Sequence, residues 1–492
     1  MFLIGIISLS FFFYSSRFYP LLNSDDGISI LMVRYFKWKT SLYFWGQDRY
    51  GSLVPLLGRG IYLLYHPSAI IAESISHYLV LAAGFFAVSS FLRSVIAKTA
   101  LCLVWFFPPF HMLDMLHNTL GIEYSVLGIA LYFLASSINS LDSTPSKRLV
   151  RYILALFFFI LATWVSDLDI VSILLVFGLV MWFHFKRKGY NIRITILGIR
   201  PGYYIATGIA LVAGIFFILY VKGISGRMEN YQSINGIGPF KDSLGVLLKS
   251  LEDLLQFKSN EPGTSAGLYG MGLLIAVLLF VLRSVRIDEF NKGLILFFLL
   301  QTLLILLAVL ASQWVSVNEV ARRYFISVYA GSWVTVLLLL DQLIQHRINH
   351  YRKIAALAMG VVLVSGIGTL YNLSCIWPKS LLPAYVKLSE FKQFGNIGII
   401  GNYWNSYVVA SIDPDHIIAT PHQNTYNRNT DFIPEVFAQD RLFVIRDGWF
   451  EHFPDTMFQY RRVLVRKGKE QVIGDCFACE YSVIKSRYPR AE

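Results

Sequence analysis

Tyr203–Val221 reads YYIATGIALVAGIFFILYV, nineteen residues without a charge, with Arg200 shortly before it and Lys222 directly after. About 20 apolar residues in a helix cross a bilayer core, so this stretch is a membrane span. Working outward, ten more segments read the same way. They are Met1–Tyr14, Ile70–Leu92, Val95–Phe110, Leu120–Ile138, Leu149–Val165, Ile170–Phe185, Leu268–Leu282, Leu294–Ser312, Tyr324–Leu340 and Ile354–Tyr371. Of 492 residues, 55% are hydrophobic and only 15% charged. Soluble domains carry roughly 25% charged residues, so a soluble enzyme of this length is excluded. Aromatic content of 15%, with no heptad or Gly-X-Y period, excludes disorder, a coiled coil and collagen. The sequence predicts an all-α polytopic membrane protein with about eleven transmembrane helices. Met1–Tyr14 lacks a basic n-region and a small-residue cleavage site, which argues against a cleaved signal peptide. A start upstream of Met1 is compatible with it.

The net charge of +12 does not point to nucleic acid, because the basic residues sit in short tufts between apolar runs. One set of connections holds sixteen: Arg93, Lys98, Lys147, Arg148, Arg151, Lys186, Arg187, Lys188, Arg193, Arg200, Arg283, Arg286, Lys292, Arg347, Arg352 and Lys353. The three short connections on the other side hold only Arg322 and Arg323. The positive-inside rule then puts the first set and the N-terminus in the cytoplasm. Segments 15–69 and 222–267 lie outside, as does the chain from Asn372 on. The predicted division is a membrane domain over 1–377 and an extracytoplasmic α/β domain over 378–492.

The acids sort by side. Asp142, Asp288, Glu289 and Asp341 fall at cytoplasmic ends, each near basic residues. Asp25, Asp26, Asp114, Glu123, Asp167, Asp169 and Glu319 fall at outer ends or just beyond. Several of these connections are very short, so their acids are held at membrane level and expected to converge on one outward-facing polar site. No span has an acid at its middle, which counts against an ion-coupled transporter. In the first outer loop, Asn23-Ser24-Asp25-Asp26-Gly27 precedes ISILMVRYFKWK over Ile28–Lys39. Its apolar periodicity with Arg34, Lys37 and Lys39 predicts a helix lying in the membrane interface. YFWGQDRYG over Tyr43–Gly51 leads into an apolar stretch to Tyr65, broken by Pro55, Gly58 and Gly60 and expected to be a second surface helix. Adjacent carboxylates suit a base or a cation site. They equally suit helix capping by Ser24 or Asp25, with Asp26 at the positive helix end.

These features together resemble a GT-C glycosyltransferase, of the protein O-mannosyltransferase and lipid A aminoarabinose transferase type. The resemblance rests on the acidic pair Asp25-Asp26 right after the first span and on interfacial helices in the first outer loop. It rests also on Arg322-Arg323-Tyr324-Phe325 at the outer start of a late span, similar to the family's RY-x-x-P, and on the outer C-terminal region. It covers roughly residues 1–371. Asp26 stands where the family has Glu, and Ser327 where a proline is common. The resemblance implies sugar transfer from a polyprenyl-phosphate donor to a cell-envelope acceptor at the outer membrane face, as an inverting hexosyl- or pentosyltransferase. It implies Asp25 as the base and Asp26 as its support.

Such chemistry needs a base for the acceptor hydroxyl and cations for the leaving phosphate. Arg322 and Arg323 suit phosphate through the guanidinium fork, with membrane anchoring as the plainer role for one of them. Arg49 is a further phosphate candidate, with a salt bridge to Asp48 as its ordinary alternative. His117, Asn118, Glu123, Asp167, Asp169 and Glu319 are candidates for holding sugar or acceptor, although a lone His is more often structural. Asp167-Leu168-Asp169 resembles a metal-binding D-x-D, but two acids supply only part of the six oxygens that magnesium or manganese takes. No metal and no other cofactor is expected. In the last third, Asn396–Gly401, Ile417–Thr420 and Leu442–Ile445 read as strands and Ser406–Ser411 as helix. An α/β sandwich is expected there, in which Cys476 and Cys479 could pair. The alternatives are a lipid or polysaccharide transporter or flippase, and an O-antigen ligase or polymerase-like protein, which would use arginines and histidine instead of an acidic pair.

Overall fold

The computed structural model describes residues 1–118, 121–139, 144–225, 237–256, 262–283, 285–373 and 381–484. In chain order the helices are α1 Phe2–Tyr14, α2 Ser24–Tyr35, α3 Leu53–Tyr65, α4 Ala69–Ser89, α5 Val95–Phe106, α6 Glu123–Asn139, α7 Pro145–Val165 and α8 Asp169–Arg187. They continue with α9 Ile192–Leu197, α10 Pro201–Ile224, α11 Ile237–Leu255, α12 Pro262–Leu282, α13 Glu289–Ala311, α14 Gln313–Val317, α15 Ile326–Gln345 and α16 Tyr351–Asn372. Eight of the eleven expected spans coincide with helices long and apolar enough to cross a membrane. Val95–Phe110 does not run straight: α5 stops at Phe106, and a 3-10 turn over Phe110–Leu116 leaves it at 89°. Pro108 and Pro109 stand at the break, lacking the N–H groups a helix would need. The first span is a helix of 13 residues and the fourth, α6, one of 17.

Phe85, Trp105, Phe106 and Trp333 lie at the centre of the bundle. The lipid-facing character of its rim is plain in α10, where Ile205, Ile209, Leu211, Val212, Ile215 and Phe216 are all exposed. At the helix ends with the basic tufts, Glu289 pairs with Arg187 at 2.9 Å, and Asp341 accepts from the backbone N–H of Ser94 at 2.7 Å and of Arg93 at 3.1 Å. Asp288 caps α13. Asp142 lies outside the described residues.

The C-terminal part completes the chain with α17 Ala384–Leu388, β1 Ile397–Gly401, α18 Tyr403–Ile412, β2 Ile417–Pro421, α19 Phe432–Val436 and β3 Arg441–Ile445. Then follow β4 Thr456–Gln459, β5 Arg462–Arg466, β6 Gln471–Ile473 and β7 Cys476–Ile484. They make one mixed sheet, ordered β2-β1-β3-β7-β5-β4 with β6 on β7. The three expected strands are the parallel trio β2-β1-β3. β4 to β7 extend it antiparallel. Cys476 and Cys479, whose pairing the sequence leaves open, are both free thiols. Side chains alternate along a strand, so an offset of three sends the two cysteines to opposite faces. Cys476 lies in the core that includes Tyr407 and Phe443, Cys479 in the one that includes Val444 and Leu464. The boundary at Trp377-Pro378, like Cys375, lies outside the described residues.

The largest departure concerns α2. It is not an interfacial helix: nine of its twelve residues are buried. Ile28, Leu31 and Met32 close one face of the C-terminal sheet, against Phe391, Ile397 and Phe443, while Ile30 and Val33 pack with Ala69, Ile70 and Ala72 of α4. A short helix apolar on all sides needs cover on all sides, and the lobe provides the half that the bundle does not. Gly27 permits the contact: a Cβ there would stand 2.8 Å from the Tyr407 carbonyl and the Val408 nitrogen. Charges in and just after the helix go to the lobe as well, Arg34 to Asp415 and Lys37 to Asp431. By contrast α3 has the expected character, with Leu53, Val54, Pro55 and Gly58 buried and Leu57, Leu63, Leu64 and Tyr65 exposed. Pro55 is tolerated because it falls in the first turn.

Candidate active site

The N-terminus of α2 sorts the two adjacent acids. The cap is Asn23, one residue before Ser24 and two before Asp25, the two expected caps. Its side-chain oxygen accepts from the backbone N–H of Asp25 at 2.8 Å and of Asp26 at 3.3 Å. Asp26 returns the bond, accepting from the Asn23 N–H at 2.8 Å, which closes a capping box. The other Asp26 oxygen accepts from His117 Nδ1 at 3.1 Å. Asp26 is 1% exposed with both oxygens engaged, so it holds the helix end and does not face a ligand.

Asp25 points to the other side. Arg323 donates to its Oδ2 at 3.0 Å, and the Tyr403 hydroxyl donates to its Oδ1 at 3.2 Å. The Asp25 and Arg323 side chains keep 17% and 18% exposure, so the pair is reachable from outside. Three parts of the chain therefore meet at one carboxylate: the first outer loop, the 3-10 turn Arg322–Phe325 before α15, and the first residue of α18. Around the pair lies an aromatic wall. Trp314 stands edge-to-face with Tyr324 at 4.1 Å and with Tyr50 at 6.3 Å, and Arg49 lies over the Trp314 ring at 4.9 Å. Arg49 and Arg323 thus approach the same aromatic cluster. Arg322, next in sequence, is half-buried.

The other predicted residues divide. His117 is 1% exposed, stacked on Tyr19 at 4.2 Å, with Asp114 at 3.9 Å from its Nε2. Burial opposes the charged ring, but the fields of Asp26 and Asp114 outweigh it, and its pKa lies above the ordinary 6.5. His117 and the equally buried Asn118 are therefore enclosed, not presented to a sugar. Glu123 and Asp169 are buried too, and Glu123 accepts from Ser327, the residue in the place of the family's proline. Asp167 pairs with Lys222 at 2.6 Å; burial lifts its carboxyl above the ordinary range and the ammonium opposes that. The D-x-D acids thus sit in different settings. Glu319 is exposed in a turn where it and Val320 both have left-handed backbone, at φ 54° and 55°. Among the described residues, no three His, Cys, Asp or Glu side chains are grouped to hold a metal.

Some participants escaped the sequence reading. Glu73 and His77, one turn apart on α4, are fully buried near Ser29 and the Met115 carbonyl. Their i, i+4 spacing in an apolar span was visible. Tyr403 had no such signal.

No family model and no curated protein matches the sequence. Solved structures do. ArnT from Cupriavidus metallidurans bound to undecaprenyl phosphate is similar at a TM-score of 0.57 and 11% identity, with 97% of each chain covered. The apo state of the same protein gives 0.54 and 10%, again with 97% of each chain covered. A looser likeness, at 0.42 and 12%, covers 91% of this chain and 69% of the archaeal oligosaccharyltransferase AglB from Archaeoglobus fulgidus. The protein has the ArnT-like GT-C fold: a polytopic helical bundle with a small C-terminal α/β lobe.

Proposed function

We propose that this protein is a membrane glycosyltransferase that moves a sugar from a polyprenyl-phosphate donor to a cell-envelope acceptor (a lipid, glycan or protein). The cytoplasmic membrane is its place, with the N-terminus inside and the lobe outside, as the basic tufts dictate. The observation that carries this reading is the Asp25–Arg323 pair at 3.0 Å, reachable from outside and flanked by Arg49. A base and a phosphate ligand neutralise one another in the resting protein. An arriving donor phosphate takes over Arg323, because it offers more charge and can be held by the two-pronged guanidinium. Asp25 is then released beside the bound sugar. It accepts the acceptor hydroxyl proton, the acceptor oxygen forms a bond to the anomeric carbon, and the carbon–oxygen bond to the phosphate breaks. Attack from the face opposite the phosphate inverts that carbon. The leaving polyprenyl phosphate keeps its charge on Arg323 and Arg49, with Arg322 nearby.

The ArnT structure bound to undecaprenyl phosphate supports the donor class. The pairing of Asp167, one of the two D-x-D acids, with Lys222 supports a metal-free reaction. We expect transfer to continue in EDTA. The buried Glu73–His77 pair suits the transporter alternative, but Glu73 is only the fifth residue of α4, far from mid-membrane. The two readings separate on deletion of the protein. A lost transferase leaves lipid-linked sugar accumulated at the outer face, whereas a lost transporter leaves its cargo at the inner face.

A further inference from the structure

Asp25 has two oxygens, and the membrane bundle holds only one of them. The other is held from the lobe, 378 residues away in sequence, by the Tyr403 hydroxyl. We propose that Tyr403 is a positioning residue for the reaction, which fixes Asp25 through Oδ1 and leaves Oδ2 as the atom that takes the acceptor proton. This rests on the glycosyltransferase reading above.

The lobe is built to keep this hydroxyl in place. Arg428 donates its Nε to the Tyr403 oxygen at 3.2 Å. That occupies the oxygen as an acceptor and turns its proton toward Asp25. The loop that carries Arg428 is itself tied down: its backbone N–H donates to the Tyr407 hydroxyl at 2.8 Å, and that hydroxyl donates to Asn427 Oδ1 at 2.9 Å. Tyr403 opens α18, which Asn402 caps through the Asn405 N–H at 2.9 Å. Its own carbonyl accepts from the Ser24 hydroxyl at the start of α2. The starts of α2 and α18 thus lie side by side, Ser24 against Tyr403 and Gly27 against Tyr407 and Val408. Tyr403 is largely buried, at 8% exposure. Once phosphate draws Arg323 from Oδ2, Tyr403 remains as the contact that stops the carboxylate from rotating. A misplacement of about 1 Å is enough to cost a factor of about 100.

The charged and titratable groups around Asp25 are few. Asp26 and, through it, His117 lie on its own side, Asp114 on the 3-10 turn over Phe110–Leu116, Arg323 and Tyr324 before α15, and Tyr403 and Arg428 on the lobe. Of these, Tyr403 is the one that Tyr403→Phe silences without changing a charge.

The test is the infrared band of the Asp25 carboxylate, isolated by difference against Asp25→Asn, alongside steady-state transfer. In Tyr403→Phe the band should shift in frequency, because one of its hydrogen bonds is gone, with kcat about tenfold lower and donor KM unchanged. Arg428→Gln should shift both in the same direction by less. A band that does not move in Tyr403→Phe overturns the inference whatever the transfer rate does. A band that moves in a protein unable to transfer sugar leaves the contact standing and overturns the glycosyltransferase reading instead.

Discussion

Asp25 and Asp26 are neighbours in sequence and opposites in setting. Asp26 is sealed in, tied to its own helix cap and to His117. Asp25 stands at a junction of three chain regions, paired with an arginine that a ligand can reach. The difference comes from the helix itself. Successive residues on a helix point about 100° apart, so one of two adjacent acids faces the bundle when the other faces the cleft. A pair that looks like one motif is one accessible acid and one buried helix anchor, the proposed base and its support.

The largest effect belongs to Asp25→Asn, which keeps the size of the side chain but cannot take a proton. Transfer should fall by about 10²–10⁴, the usual loss of a general base, while the purified protein stays folded. Asp26→Asn should cost less rate and more stability, because Asp26 anchors the cap. Equal rate losses in the two variants, measured on folded protein, would erase the division of labour.

Next comes Arg323→Ala. A charge-assisted hydrogen bond to the donor phosphate, about 1.5–3 kcal/mol, disappears, so donor affinity should weaken by roughly 10–150-fold in a binding titration. Arg323→Lys should not restore it fully, because an ammonium lacks the planar fork. Unchanged affinity in Arg323→Ala would reduce the arginine to a membrane anchor.

The smallest effect lies on the Asp26 side. His117 has a raised pKa in the fold, so its charged form favours the folded state. That stabilisation is complete below the ordinary value of 6.5 and is lost as pH rises through the raised value. Thermal melts should therefore show His117→Gln weaker than wild type at pH 6, by about 1 kcal/mol, with the gap narrowing as pH rises. A gap independent of pH would mean that the ring contributes packing on Tyr19 and no charge.

How much of this could be read from the sequence depended on how local the cause was. Membrane spans are local, and Tyr203–Val221 or Leu294–Ser312 needed no partner to be recognised. β1, β2 and β3 were legible as short apolar runs, whereas β4 to β7 carry exposed positions such as Phe458, Val463 and Val472 and gave no clear pattern. The burial of α2 was not legible, because half of its cover arrives from the lobe. His117 looked like a ligand for sugar until the fold put Asp26, Asp114 and Tyr19 around it. The spacing of Cys476 and Cys479 suggested a bridge until the strand sent them apart. At the site, Asp25 and Arg323 stood out as charges at membrane level. Tyr403 did not, because one tyrosine among 28 means nothing until something is known to touch it.

In the proposed mechanism Asp25 and the donor phosphate compete for Arg323, and binding tests that competition more directly than turnover. The measurement is the dissociation constant of polyprenyl phosphate for wild type and for Asp25→Asn, both purified and folded. Removing the carboxylate's charge leaves Arg323 free for the phosphate, so the inactive variant should bind the lipid several-fold more tightly than wild type. Equal or weaker binding by Asp25→Asn would mean that the phosphate does not displace Asp25 from Arg323, and the proposed release of the base would be wrong.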